Sequence, residues 1–129
     1  MKLFKNILKR TEPKKKKTLP WIPLNKNEQL KEIVGLSNSK PVLVFKHSTR
    51  CGISKFVLKN FELAYDIDSE KMDIYYLDLL NYRQISNDIA EKFDVYHQSP
   101  QVLVIDKGNV VYHNSHQEIS VENIKKAIG

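Results

Sequence analysis

A continuous apolar run limits the folds open to this chain more than any other feature. Residues 41–47 read Pro-Val-Leu-Val-Phe-Lys-His, and the four residues after the proline are all apolar. A strand with one buried face alternates apolar and polar residues, whereas an unbroken run is typical of a central strand buried on both faces. We therefore expect a sheet that is covered by other elements on both sides.

The segments around this run alternate between strand and helix patterns. Further strands are predicted at four places: residues 21–24, 73–79, 101–105 and 110–113. Helical spacing predicts four helices: one that carries Leu30 and Ile33 and is capped by Asn25 or Asn27, one from about Gly52 to Tyr65 that carries Ile53, Phe56, Val57, Phe61 and Ala64, one that carries Ile85 and Ile89, and one opened by Ser120.

The order of these elements indicates the fold class. The alternating first part implies parallel strands with right-handed crossovers. A turn at residues 106–109, with Gly108 at a positive φ, predicts an antiparallel hairpin. The result is an α/β protein with a mixed central sheet, helices on both faces and a C-terminal hairpin plus helix, which is the order of the thioredoxin-like fold.

The positive charge of the chain lies almost entirely in its first 20 residues. The formal net charge is +6, and residues 1–20 carry eight basic residues and one glutamate, so the remaining residues have a net charge of −1. A nearly neutral globular part argues against a nucleic-acid partner. We expect a basic and flexible extension at residues 1–20 and one domain at residues 21–129.

The sequence also indicates where in the cell the chain is expected to act. The lysines of the extension suit a solvated tail, or weak contact with an anionic membrane surface. The sequence has neither an apolar stretch of about 20 residues nor the continuous apolar core of a signal peptide. A lone cysteine cannot form an intramolecular disulfide, so the chain is expected to be cytoplasmic.

Cys51, the only cysteine, lies between the predicted buried strand and a helix. The unpaired N–H groups at a helix start favour an anion, and the thiolate is the attacking species in disulfide exchange. Nearby basic residues would add to this effect if they faced the sulfur: Lys46, His47, Arg50 and Lys55. A free cysteine often only fills space in a core, but the small and polar residues at 48–52 favour an exposed, reactive thiol.

A second candidate element is Ser99-Pro100, directly before the predicted strand at residues 101–105. Thioredoxin folds place a cis proline at this point, facing the cysteine. The alternative is a trans proline that merely begins an edge strand. We predict that the Ser99–Pro100 bond is cis and lies beside Cys51.

Residues 45–54 read Phe-Lys-His-Ser-Thr-Arg-Cys-Gly-Ile-Ser, and together with Ser99-Pro100-Gln101 they resemble the monothiol bacilliredoxin family. The resemblance covers about residues 21–129. It implies a bacterial oxidoreductase without a bound cofactor that removes bacillithiol, its thiol co-substrate, from S-thiolated client proteins. Cys51 would attack, and bacillithiol or a partner reductase would then release it. We expect six residues to contact the substrate: Thr49, Arg50, Gly52, Ser54, Ser99 and Pro100.

Two features keep other functions open. Ser54 stands where dithiol relatives have a resolving cysteine, and Gly52 replaces the proline that usually follows the cysteine in this family. The run Cys-Gly-Ile-Ser is also close to the Cys-Gly-Phe-Ser motif of monothiol glutaredoxins, which hold a [2Fe–2S] cluster with glutathione. The alternatives are therefore an iron–sulfur carrier of that kind and a non-catalytic thioredoxin-like adaptor. The histidines lack metal-site spacing, so no metal site is predicted.

Overall fold

The structure, a computed structural model, describes residues 18–129. Within this range the strands are β1 (Trp21–Pro23), β2 (Val42–His47), β3 (Asp73–Asp78), β4 (Gln101–Asp106) and β5 (Asn109–Ser115). The α-helices are α1 (Gln29–Leu36), α2 (Gly52–Ala64), α3 (Arg83–Phe93) and α4 (Val121–Ile128), and a 3₁₀ turn spans His116–Glu118. The predicted basic extension lies outside the described residues, apart from residues 18–20.

The strands form one mixed sheet in the order β1-β3-β2-β4-β5. The pairs β1–β3 and β3–β2 are parallel, whereas β2–β4 and β4–β5 are antiparallel. All six residues of β2 are buried, as the apolar run predicts. The predicted thioredoxin-like architecture is confirmed.

Helices cover both faces of this sheet. On one face, α1 and α3 pack on alternate residues of β2 through a core that includes Leu30, Ile33, Ile85, Ile89, Val42 and Val44. On the other face, the core around α2 and α4 includes Val57, Phe61, Ile124, Leu43 and Phe45. The period-2 alternation of side chains in β2 sends neighbouring residues into different cores.

The helix caps and the turn glycine predicted from the sequence are confirmed at two positions and wrong at one. Ser120 caps α4, and its hydroxyl accepts the N–H of Asn123, as expected. Gly108 has a φ of 78° in the hairpin turn, also as expected. The predicted asparagine cap of α1 is wrong, because the Gln29 side chain accepts the N–H groups that precede the helix and no side chain caps its start.

The described part of the chain begins with a segment that touches the core. Leu19 packs against the cluster on the α2 side of the sheet, and its carbonyl accepts the N–H of Trp21. Among residues 18–129, no helix is both long and apolar enough to cross a membrane.

Candidate thiol site at the start of helix α2

Cys51 occupies the N-cap position of α2. Its backbone is extended, with φ −102° and ψ 121°, and its N–H donates to the Ser48 carbonyl over 3.2 Å. Its own carbonyl accepts the N–H of Lys55 over 3.0 Å. The side chain is half-buried, and the cysteine is free. The side chain therefore stands at the N-terminal end of the helix, where the first backbone N–H groups have no partner within the helix.

Ser54 supports this turn from beneath. Its side chain is fully buried, and its hydroxyl lies 2.7 Å from Nδ1 of His47 while it accepts the N–H of Ser48 over 3.0 Å. These bonds connect the first turn of α2 to the end of β2. Ser54 thus acts on the site by holding the turn around Cys51, from a position beneath the surface.

Lys46 is not a surface cation next to the sulfur. Its side chain is fully buried, and Nζ donates to the Ser86 carbonyl over 3.3 Å and lies 3.2 Å from Nδ1 of His97. Burial lowers the pKa of Lys46 to about 8. Lys46 therefore does not meet the condition under which it would strengthen the thiolate, because its ammonium group contacts α3 and the segment that follows it.

His47 is also buried, and it points to the opposite face of the sheet from Lys46. Burial lowers the pKa of His47 below its usual value, an effect opposed by Asp78 and Glu62 and assisted by Lys55. The ring is therefore neutral at pH 7, and His47 contributes a hydrogen bond instead of the positive charge that its position suggested. Two exposed cations remain beside Cys51 in the chain: Arg50 and Lys55.

The Ser99–Pro100 peptide bond is cis, as predicted. In the antiparallel pair of β2 and β4, Lys46 lies opposite Gln101. The residues that precede β4 and those that follow β2 therefore meet at the same end of these two inner strands. Cys51 follows the end of β2 by four residues. Pro100 is buried, and its backbone carbonyl accepts the N–H of His116 over 3.0 Å. The hydroxyl of Ser99 is also buried, and it has no hydrogen-bond partner among the described residues.

The sequence model of the family described as monothiol bacilliredoxin BrxC matches residues 22–124. The chain belongs to the monothiol bacilliredoxin family.

Solved structures share the thioredoxin fold of this chain. One is described as a candidate oxidoreductase with a thioredoxin fold; it shares 32% identity with a TM-score of 0.70, over 82% of this chain and 91% of that one. A thioredoxin from Malassezia sympodialis shares 20% identity with a TM-score of 0.63, over 82% of this chain and 85% of that one. A thioredoxin from Fasciola hepatica shares 16% identity with a TM-score of 0.59, over 82% and 94%. The two thioredoxins support the fold, and the first structure also supports thiol redox activity.

The surface around Cys51 is open. Thr49, Arg50 and Gly52 are exposed, and apart from the adjacent residues and the backbone of the helix itself no described atom lies within 4 Å of where a Cβ on Gly52 would stand. Two apolar side chains of α2, assigned to its helical pattern from the sequence, are also exposed: Ile53 by 53% and Phe56 by 60%. The buried face of α2 is thus narrower than its apolar pattern suggests.

Sequence reasoning missed three residues that hold side chains of the two elements flanking the site, β2 and α2. Ser86 and His97 hold Lys46 from the α3 side, and Trp21 donates from Nε1 to Glu62 of α2 over 2.8 Å. These residues come from distant parts of the chain, so no local pattern marks them. The only signal in the sequence was a lysine at the end of an otherwise apolar buried run.

Proposed function

We propose that the chain is a monothiol disulfide oxidoreductase that removes bacillithiol from protein mixed disulfides through Cys51. One observation carries the proposal: the only cysteine of the chain is half-exposed at the N-terminus of α2, after the end of β2. The cis Ser99–Pro100 bond precedes β4 at this same end of the paired strands. Membership of the bacilliredoxin family supports thiol redox chemistry at this position.

The proposed reaction consists of two thiol exchanges. The Cys51 thiolate attacks the bacillithiol sulfur of the mixed disulfide, a new sulfur–sulfur bond forms, and the client sulfur leaves as a thiolate that takes a proton from water. Cys51 is then itself joined to bacillithiol. A second thiolate, from free bacillithiol or from a partner reductase, attacks that bacillithiol sulfur. Cys51 leaves as a thiolate, and the second thiol ends as a disulfide.

The second thiol has to come from another molecule. Cys51 is the only thiol in the sequence, and Ser54, at the position of a resolving cysteine in dithiol relatives, has a buried hydroxyl held by His47 and Ser48. We therefore propose bacillithiol as a co-substrate, with no bound cofactor, and S-thiolated proteins as clients. The reducing cytoplasm is the compartment in which this chemistry fits.

Intact mass spectrometry tests the proposal directly. A model client that carries bacillithiol on one cysteine is mixed with the full chain, and both masses are followed. We expect the client to lose bacillithiol and Cys51 to gain it, and we expect neither change with Cys51→Ser, whose folding is checked by circular dichroism. Transfer by Cys51→Ser at a rate near that of the wild type would contradict the proposal.

Anaerobic purification of the full chain tests the iron–sulfur alternative. Protein purified anaerobically is expected to show no visible absorbance bands and no bound iron or sulfide. Stoichiometric iron and sulfide with such bands would favour a cluster carrier of the glutaredoxin kind.

A further inference from the structure

A cavity of about 470 Å³ lies along α2 on the side of β1. Its walls include an aromatic residue, a buried histidine, two lysines and a carboxylate: Trp21, His47, Lys55, Lys59 and Glu62. This volume is in the range of small-molecule sites, which are about 300–1,000 Å³. The two thiol exchanges proposed for Cys51 assign no role to this cavity.

The cavity begins one helical turn from the thiol. Residues four apart share a helix face, so Cys51, Lys55 and Lys59 lie in one row, and the Lys55 N–H donates to the Cys51 carbonyl. At a rise of about 1.5 Å per residue, Lys59 lies roughly 12 Å from Cys51 along the axis. A small molecule of that length can place one end in the cavity and the other at the sulfur.

The polar groups of the cavity suit an anion. Lys55 and Lys59 are exposed, and neither has a carboxylate within 4 Å in the part of the chain that the structure describes. The single carboxylate in the wall, Glu62, already accepts the Nε1–H of Trp21. The two ammonium groups therefore leave an excess of positive charge.

His47 adds a donor at the inner end of the cavity. Ser54 already accepts the N–H of Ser48, so its hydroxyl hydrogen is free to donate to Nδ1 of His47. The ring proton is then on Nε2, for which the described residues provide no hydrogen-bond partner. The buried ring thus presents an unused N–H to a cavity that it lines.

We propose that this cavity binds the anionic part of the low-molecular-weight thiol, with carboxylates at Lys55 and Lys59 while the sulfur of the same molecule reaches Cys51. The inference rests on the proposed function, because it assigns a subsite to the small thiol of that reaction. It also separates the two substrates in space. The cavity lies on the β1 and β3 side of β2, whereas Pro100 precedes β4 on the other side, so client and small thiol approach Cys51 from different sides.

The first test compares two disulfides as donors to Cys51 in the full chain. Oxidised bacillithiol carries carboxylates, and hydroxyethyl disulfide carries no charge. Lys59→Gln is expected to slow thiolation by the charged donor about three- to fivefold and to leave the neutral donor unchanged, as loss of one exposed ion pair predicts. The matched control is Lys92→Gln, which removes the same charge from an exposed position on α3.

The second test measures binding without chemistry. Trp21 is the only tryptophan in the sequence and lines the cavity, so its fluorescence reports on occupancy. In a Cys51→Ser background, reduced bacillithiol is expected to change this fluorescence with saturation. The midpoint should move to higher concentration with Lys59→Gln and stay in place with Lys92→Gln.

The outcomes separate the inference from the function on which it rests. If neither disulfide modifies Cys51, the proposed function is wrong. If both modify it, and the Lys59 and Lys92 variants behave alike in rate and in fluorescence, the subsite is wrong and the proposed function stands.

Discussion

The Oγ atom of Ser54 lies 2.7 Å from Nδ1 of His47, and this contact joins α2 to β2 directly beneath the turn that carries Cys51. Both side chains are buried. The hydroxyl also accepts the N–H of Ser48, the first residue of that turn. One serine therefore sets the position of the turn relative to both elements that flank it.

Ser54→Ala is expected to lower the free energy of unfolding by about 1–3 kcal/mol, because it leaves Nδ1 of His47 and the N–H of Ser48 without their partner in a buried setting. Urea denaturation measures the change. Ser69→Ala, at an exposed site, is the control and should be nearly neutral. Equal stability of the two variants would show that the Ser54 hydroxyl does not support the turn.

Because Lys46 is buried, the free energy of unfolding is expected to change with pH in the alkaline range. Its pKa is about 8 in the folded protein and 10.5 when unperturbed. Between these values the unfolded chain binds a proton that the folded chain has lost, so the free energy of unfolding rises with pH across this window and is independent of Lys46 titration below pH 8, where both states are protonated. The buried ammonium is therefore a destabilising group at neutral pH.

We expect the contribution of Lys46 to reach about 3 kcal/mol between pH 8 and 10.5. The measurement compares urea denaturation of the wild type and of Lys46→Met over this range, since the other titrating groups are common to both. The wild-type curve should rise relative to the variant. Parallel curves would contradict the burial of a protonated Lys46.

Gly52→Pro is expected to stabilise the protein by about 0.4–1 kcal/mol. Gly52 is the first residue of α2, where proline fits the helix, and no described atom outside the adjacent residues and the helix backbone lies within 4 Å of the position of an added Cβ. The extended backbone of Cys51 is also the conformation that a following proline requires. Thermal denaturation measures the gain against Gly52→Ala, and a loss of stability would show that the N–H of Gly52 has a needed partner.

Removal of residues 1–17 is expected to leave the rate of Cys51 thiolation by hydroxyethyl disulfide unchanged. This deletion keeps Leu19, which packs on the core. It removes the basic cluster, which the sequence assigns either to a solvated tail or to weak contact with an anionic membrane surface. Binding of the full chain to vesicles rich in anionic lipid at low salt, lost on this deletion, would support the second interpretation. A large drop in rate would mean that this segment takes part in the thiol site.

The sequence by itself determined the order of strands and helices and the position of Cys51 between β2 and α2. Both depend on local information: an unbroken apolar run marks a buried strand, and helical spacing marks the segment that follows it. The cis Ser99–Pro100 bond was predicted from the resemblance to the thioredoxin fold, since the identity of the two residues does not distinguish the isomers.

Only the tertiary structure decided what covers each side chain. Periodicity shows that Ile53 and Phe56 belong to an apolar pattern, yet the neighbouring elements leave both exposed, while α3 and the segment after it enclose the charged end of Lys46. The cavity beside Trp21 likewise depends on where β1 meets α2. A residue's face follows from its position in its own element, but its burial and its partners depend on segments far away in the chain.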